Sequence, residues 1–273
     1  MSNTWDRAYD NRAAVADADG WLAAWQRDAM AFRAQRGKGQ TLERTYGVDE
    51  REVFDLFEPD GEAVGTLIFI HGGYWRSLSR DLNHQFAVGP LARNWRVAFI
   101  EYPLCPNVTL ESLADAVIAG IQAVADDVDG PLVLAGHSAG GHLVTHAVTA
   151  HSGLLASARK RIRRVISISG LHDLRPIVAT TDINGTLGLS EHRATVASPA
   201  LQSPDLDGDL ICVVGGDELP ELKRHAHLLA NIWTGLGVAT RAVELAGEHH
   251  FSVLEPLRSP ATALTRWATP DEA

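Results

Sequence analysis

The fold is decided by the stretch Pro131-Leu132-Val133-Leu134-Ala135-Gly136-His137-Ser138-Ala139-Gly140-Gly141-His142-Leu143-Val144. Its first residues form a short, continuously apolar run, the pattern of a strand buried on both faces. From Ala139 to about Ala150 the apolar spacing turns helical. Between the two stands Gly136-His137-Ser138-Ala139-Gly140. A Gly-x-Ser-x-Gly match alone is weak, because a glycine-rich chain produces it by chance. Placed between a strand and a helix it is specific. The chain must turn sharply there, which strains the serine backbone, and the small residues at 136, 139 and 140 let neighbouring backbone approach. Such a turn predicts Ser138 Oγ at the carboxyl end of a sheet, over a helix N-terminus that favours negative charge.

The strand–helix rhythm continues on both sides of this turn. Downstream, Val165–Ser169 and Leu210–Val214 read as buried strands, Pro220 to about Thr234 as a helix, Ala239–Leu245 as a strand and about Pro260–Trp267 as a last helix. Upstream, Val97–Ile100 is a short buried strand and Leu110–Asp127 has helical periodicity. Arg51–Phe57 alternates apolar and charged residues, and Val64–Ile70 is continuously apolar. The turn residues Glu58-Pro59-Asp60-Gly61 between these two runs predict a hairpin. Trp21, Trp25, Ala29 and Phe32 recur at helical spacing, so an amphipathic helix is expected over about 12–36, ended by Gly37-Lys38-Gly39. The alternation predicts an α/β protein: a mixed, mainly parallel sheet flanked by helices, in one domain spanning 1–273 with an N-terminal helical segment at 1–40. Leu171–Pro204 is too long and irregular for a plain connection and is expected to form a partly helical cap insertion, about 171–204.

Composition limits the partners. The chain has 273 residues, with 24 Lys plus Arg against 34 Asp plus Glu, a net charge of −10. An acidic chain is a poor partner for nucleic acid or an anionic membrane surface. The basic run Arg159-Lys160-Arg161-Ile162-Arg163-Arg164 lacks interleaved aromatics and reads as a solvated connector into the strand at Val165. Cys105 and Cys212 are too few for a disulfide framework. The charged N-terminus is not a signal peptide, and no apolar stretch is long enough to span a bilayer, so a cytoplasmic protein is expected.

A serine hydroxyl is a poor nucleophile until a base takes its proton, and the base needs an orienting acid. After a strand–turn–helix serine the order along the chain is acid, then histidine. Gly215-Gly216-Asp217-Glu218-Leu219-Pro220 follows a late strand and offers two adjacent carboxylates; Glu248-His249-His250-Phe251 lies in the last loop before the final helix. A second motif, His71-Gly72-Gly73-Tyr74-Trp75, directly follows the strand ending at Ile70. Its glycines let backbone N–H groups near Gly73 and Tyr74 point inward, with the Ala139 N–H as another donor, to receive an oxyanion. Tyr74 and Trp75 are expected to line the pocket.

The combination of His-Gly-Gly-Tyr-Trp at 71–75 and Gly-His-Ser-Ala-Gly at 136–140 resembles the kynurenine formamidase (arylformamidase) branch of the α/β-hydrolases. The resemblance covers nearly the whole chain. It takes in Tyr9-Asp10-Asn11-Arg12, Glu101-Tyr102-Pro103-Leu104-Cys105-Pro106, Ser169-Gly170-Leu171-His172-Asp173-Leu174-Arg175-Pro176-Ile177 and His249-His250-Phe251-Ser252-Val253-Leu254-Glu255. It implies an α/β-hydrolase fold and chooses between the adjacent candidates. The family's acid stands three residues after the first loop glycine and two before a proline, which selects Glu218 over Asp217. The family's histidine directly precedes Phe, which selects His250 and leaves His249 as a hydrogen-bonding neighbour. Glutamate in place of aspartate lengthens the acid by one methylene, so its loop must sit slightly further back.

The resemblance further implies a serine hydrolase that uses Ser138, Glu218 and His250 on an N-formyl arylamine such as N-formylkynurenine, with Gly72, Gly73, Tyr74, Trp75 and Ala139 forming the oxyanion and substrate site. A carboxylesterase acting on small acyl or aryl esters would use the same groups, and a catalytically silent binding protein is the reading from another class. Such acyl transfer needs no cofactor and no metal. His142 and His146 have zinc-ligand spacing but lack the intervening glutamate of a metalloprotease helix, and His225 and His227 point to different helix faces. No Gly-rich segment ends in Lys-Ser or Lys-Thr, so there is no phosphate loop. The partner expected is a small-molecule substrate, with neither nucleic acid nor membrane, and a homodimer is compatible with the chain. A substrate carboxylate would want a cation, for which Arg76 and Arg175 are the candidates.

Overall fold

The computed structural model describes residues 4–36 and 41–271. The expected stop at Gly37-Lys38-Gly39 lies outside them. One sheet carries eight strands: β1 (Thr41–Thr45), β2 (Val53–Phe57), β3 (Gly65–Ile70), β4 (Trp95–Ile100), β5 (Leu132–His137), β6 (Ile162–Ile168), β7 (Asp209–Gly215) and β8 (Ala239–Leu245). Their order is β1-β2-β4-β3-β5-β6-β7-β8. From β4 to β8 every pair is parallel, while β1 and β2 are antiparallel to their neighbours. Together these make the mixed, mainly parallel sheet of an α/β protein.

The continuous apolar runs are explained by burial on both faces. Successive side chains of a strand point to opposite sides. Ile68, Ile70, Ala98, Ile100, Leu132, Leu134, Leu210 and Cys212 pack into one core, and Leu67, Phe69, Val97, Phe99, Val133, Ala135, Ile211 and Val213 into the other. The helices Leu110–Asp127, Ala139–Ala147 and Pro220–Thr234 cover the first face. The helix Ala18–Gln35 covers the second through Trp25 and Phe32. A short helix, Asn11–Ala14, precedes it, and Asp17 at φ 54° separates the two. Among the described residues no helix is long and apolar enough to cross a membrane.

The hairpin expected between 51–57 and 64–70 does not form. β2 pairs with β1 on one side and with β4 on the other, so β4 lies between β2 and β3. Two strand spacings are only about 10 Å, which the link 58–64 easily spans, and the same turn residues serve either path. β3 and β4, apolar on both faces, lie deeper in the sheet, while β2, next to the edge strand β1, carries Asp55, which pairs with Arg80 at 2.6 Å. Strand β1 escaped the sequence reading because it is short, polar and at the sheet edge. The insertion 171–204 is partly helical, with helices Asp182–Leu187 and Glu191–Val196. The basic run is partly strand: Arg161 donates to the Gly130 carbonyl at 2.7 Å and Arg164 to Asp209 at 2.6 Å.

Candidate active site

Ser138 joins β5 to the helix Ala139–Ala147 at φ 54°, ψ −118°, a conformation that is costly for any residue with a Cβ. The strain is held from both sides: its amide donates to the Ile168 carbonyl at 2.8 Å, and its carbonyl accepts from His142 at 3.2 Å. The helix can start there because glycines make room. A Cβ on Gly140 would lie 2.1 Å from the Ile70 carbonyl oxygen, and one on Gly136 2.2 Å from that of Gly140. Ser138 opens into a cavity of about 280 Å³ that also reaches His137, His250, Phe251, Tyr74 and Trp25.

The loops after β7 and β8 bring the second and third residues together. His250 Nδ1 stands 2.6 Å from Glu218 Oε2. The other carboxylate oxygen accepts from the Ser169 hydroxyl at 2.5 Å and the Gly215 amide at 2.8 Å. Burial alone would raise the Glu218 pKa, but the attraction and hydrogen bond of His250, then Ser169 and the Gly215 amide, outweigh it and hold it below the usual carboxylate range. Asp217, one residue away, is exposed. The two loops touch closely enough that a Cβ on Gly215 would meet the Glu248 carbonyl oxygen at 2.2 Å. With Nδ1 donating to the carboxylate, His250 presents Nε2 as the free acceptor.

His137 shapes the same corner. Its Nε2 donates to the His250 carbonyl at 2.8 Å, and its ring centre lies 4.6 Å from that of His250. Burial, with repulsion from His250, lowers its pKa to about 3, so it is a neutral spacer. His249 faces away: Nδ1 accepts from the amides of Phe251 and Ser252 at 3.2 Å, and its ring meets Trp21 edge-on.

Opposite Ser138 runs the loop after β3. Gly73, Tyr74 and Trp75 have φ of 112°, 50° and 59°, three consecutive residues in the left-handed region. Among the described residues, the amides of Gly73, Tyr74 and Ala139 donate to no backbone acceptor. Gly72 packs against the turn at Ser138, where a Cβ would come within 3.1 Å of Ser138 Cβ. The loop is anchored below by His71, whose Nε2 is 2.9 Å from Glu101 Oε1 and whose ring stacks on Tyr102. Tyr74 lines the cavity; its hydroxyl donates to the Tyr9 carbonyl at 2.5 Å and accepts from Asn11 Nδ2 at 2.9 Å.

Trp75 departs from expectation. It is fully buried and lies outside the cavity wall. Its indole N–H needs an acceptor once buried, and it finds His142 Nδ1 at 3.1 Å, behind the loop. Arg76 does line the cavity, already bound to Asp182 Oδ1 at 3.0 Å and to Thr186 at 3.1 Å. Arg175 does not line it and pairs with Asp173 at 2.8 Å.

Several site residues carried no role in the sequence reading. Trp25 appears there only as a helix-face residue, Ser169 only as the end of a strand and inside a resembling motif, and Tyr9 and Asn11 only inside a resembling motif. For Ser169 the signal was its place in the resembling motif; its own φ of 53° is not announced by a serine. For metals, the spaced pair His142/His146 is unsuited, since both His142 nitrogens are hydrogen-bonded. The described residues hold one trio at ligand spacing, Asp55, Asp81 and His84, but Arg80 already occupies Asp55 at 2.6 Å.

Comparison with known proteins adds an independent finding. A family model described by its alpha/beta hydrolase fold matches residues 67–253. The chain is similar to kynurenine formamidase of Drosophila melanogaster, 31% identical over 60% of this chain and 57% of that protein, so it spans a little over half of that relative's length. It is similar to kynurenine formamidase of Danio rerio at 27% identity, over 85% of this chain and 82% of that one. Among solved structures, a candidate thioesterase from Silicibacter sp. superimposes with a TM-score of 0.92 at 35% identity, over 97% of this chain and 99% of that one. An esterase from Pyrobaculum calidifontis shares the fold at 17% identity, with a TM-score of 0.69 over 97% and 95%.

Proposed function

The chain belongs to the alpha/beta hydrolase fold family, and from that premise we propose that it is a serine hydrolase cleaving N-formyl arylamines, N-formylkynurenine in type, through an acyl-enzyme. The observation that carries the reading is the Glu218–His250 contact of 2.6 Å at a cavity that Ser138 shares with His250. Ser138 Oγ attacks the formyl carbon while His250 Nε2 takes its proton and Glu218 stabilises the imidazolium. The amides of Gly73, Tyr74 and Ala139 receive the oxyanion, each such donor being worth about 3 kcal/mol in comparable sites. His250 then protonates the arylamine nitrogen, the C–N bond breaks, and water repeats the sequence on the formyl-serine to release formate.

A cavity of about 280 Å³ is at the small end for ligand sites, which suits a formyl group with one aromatic leaving group. Tyr74, Trp25 and Phe251 line it with aromatic surface. Similarity to kynurenine formamidases supports the formamide. Similarity to the Silicibacter candidate thioesterase over nearly the whole chain supports a second reading, hydrolysis of small esters or thioesters by the same triad.

The deciding measurement is kcat/KM on N-formylkynurenine beside 4-nitrophenyl acetate, for the wild type and Ser138→Ala. A formamide preference of about a hundredfold, equivalent to roughly 2.7 kcal/mol of transition-state selectivity, with both activities lost in the variant, is expected. Turnover of the ester alone would keep the triad and discard the formamide.

A further inference from the structure

We propose that His142 is a positioning residue for the oxyanion loop, locking Gly73–Trp75 to the nucleophile helix and the cap insertion through the Trp75 indole. The inference rests on the serine hydrolase reading and goes beyond it, since His142 does not itself line the cavity. The loop holds three successive positive φ angles, and two of its residues, Tyr74 and Trp75, carry a Cβ that makes this conformation strained. It persists only where its surroundings over-determine it. Tyr74 is tethered to Tyr9 and Asn11 on the cavity side, and Trp75 to His142 on the buried side.

The His142 contacts define a single tautomer. Nδ1 accepts from the Trp75 N–H at 3.1 Å, so it is unprotonated, and Nε2 donates to the Ala197 carbonyl at 2.8 Å, so it carries the proton. Burial, with a smaller contribution from His146, lowers its pKa to about 3 and keeps this neutral form. His142 stands on the first turn of the helix that Ser138 starts, its amide bonded to the Ser138 carbonyl at 3.2 Å. Ala197 follows the helix Glu191–Val196 of the insertion. One imidazole therefore joins three elements: nucleophile turn, oxyanion loop and cap. The Trp75 carbonyl accepts from the Cys105 amide at 2.9 Å, so losing the indole tether frees the side-chain end of the loop while the backbone end stays held.

The test uses the whole protein with 4-nitrophenyl acetate as substrate and phenyl trifluoromethyl ketone as a mimic of the tetrahedral intermediate. Trp75→Phe keeps the ring and deletes the donor; His142→Phe deletes the acceptor; His142→Asn retains an acceptor near the Nδ1 position. Donor misplacement is expected to lower kcat about ten- to a hundredfold in the first two variants, with KM within about threefold and the ketone weakened in parallel. His142→Asn should recover most of that loss, and the Trp75→Phe/His142→Phe double variant should be no worse than either single one. Unchanged kcat in Trp75→Phe, or an equal loss in His142→Asn and His142→Phe, overturns the proposal. Should His142→Phe not fold, the Trp75→Phe and His142→Asn pair decides alone. A wild type that neither turns over ester nor is labelled at Ser138 by a fluorophosphonate overturns the underlying triad reading instead.

Discussion

At the scale of single residues, the site separates two carboxylates that are neighbours in sequence. Glu218 is buried and accepts three hydrogen bonds, from His250, Ser169 and Gly215; Asp217 is exposed. Replacing Glu218 by Gln puts a side-chain amide against Nδ1 and favours the wrong imidazole tautomer, so kcat on 4-nitrophenyl acetate should fall by about 10³–10⁴. Asp217→Asn should stay within about twofold, as a surface change does. Equal losses in the two variants would contradict the assignment of the acid. Residue type and order pointed to this loop, while the choice between the two came from a family resemblance. Nothing in the local sequence says which side chain turns inward. The same limit explains Trp75: an aromatic beside the oxyanion glycines is expected at the pocket, but the partner that buries it, His142, lies 67 residues away in the chain.

At the scale of elements, the helix that follows Ser138 can pack over the end of β3 only because Gly140 lacks a side chain. A methyl there would meet the Ile70 carbonyl at 2.1 Å and the His71 carbonyl at 2.7 Å, and backbone on both sides cannot yield cheaply. Gly140→Ala should cost about 3 kcal/mol, lowering Tm by roughly 10 °C. Gly185, inside the helix Asp182–Leu187, has open space around it, so Gly185→Ala should leave Tm unchanged or slightly raised. Similar Tm values for both variants would refute close packing at the elbow. Element types were readable wherever the pattern was strong: Leu110–Asp127 and Pro220–Thr234 are helices over the expected residues. Pairing was not. The mistaken hairpin and the overlooked β1 share a cause, because a ladder hydrogen bond depends on which strands the core places side by side, and turn residues do not encode it.

At the scale of the whole molecule, the fold buries histidines in neutral form at several points. His137, His142 and His225 each have a pKa lowered to about 3, in every case chiefly by burial. The hydrogen bonds agree, since His225 Nδ1 accepts from the amides of His172 and Asp173 and cannot do so when protonated. The unfolded chain, with histidines near 6.5, binds more protons than the folded one below that pH. Stability is therefore full above about pH 6.5 and falls as pH drops toward 3, by up to about 1.4 kcal/mol per pH unit for each such histidine. Urea unfolding midpoints at pH 8, 6 and 5 should show a plateau and then a steep decline; a flat profile to pH 5 would refute neutral burial. Glu218 and Glu101, held below the usual carboxylate range, add to the loss only further down the scale. By itself the sequence determined the α/β class, the strained turn at Ser138, the glycine-rich loop after β3 and the chain order in which Ser138, Glu218 and His250 are offered. These follow from local rules: the period of side chains on strands and helices, the glycine that a tight turn requires, and the short range over which a motif is written. Only the tertiary structure decided strand order, how Ser169 and Gly215 hold Glu218 against His250, how Tyr9 and Asn11 hold Tyr74, and where Trp75 points. Each of these is a contact between distant segments, set by which groups can share a dry interior with their hydrogen bonds satisfied.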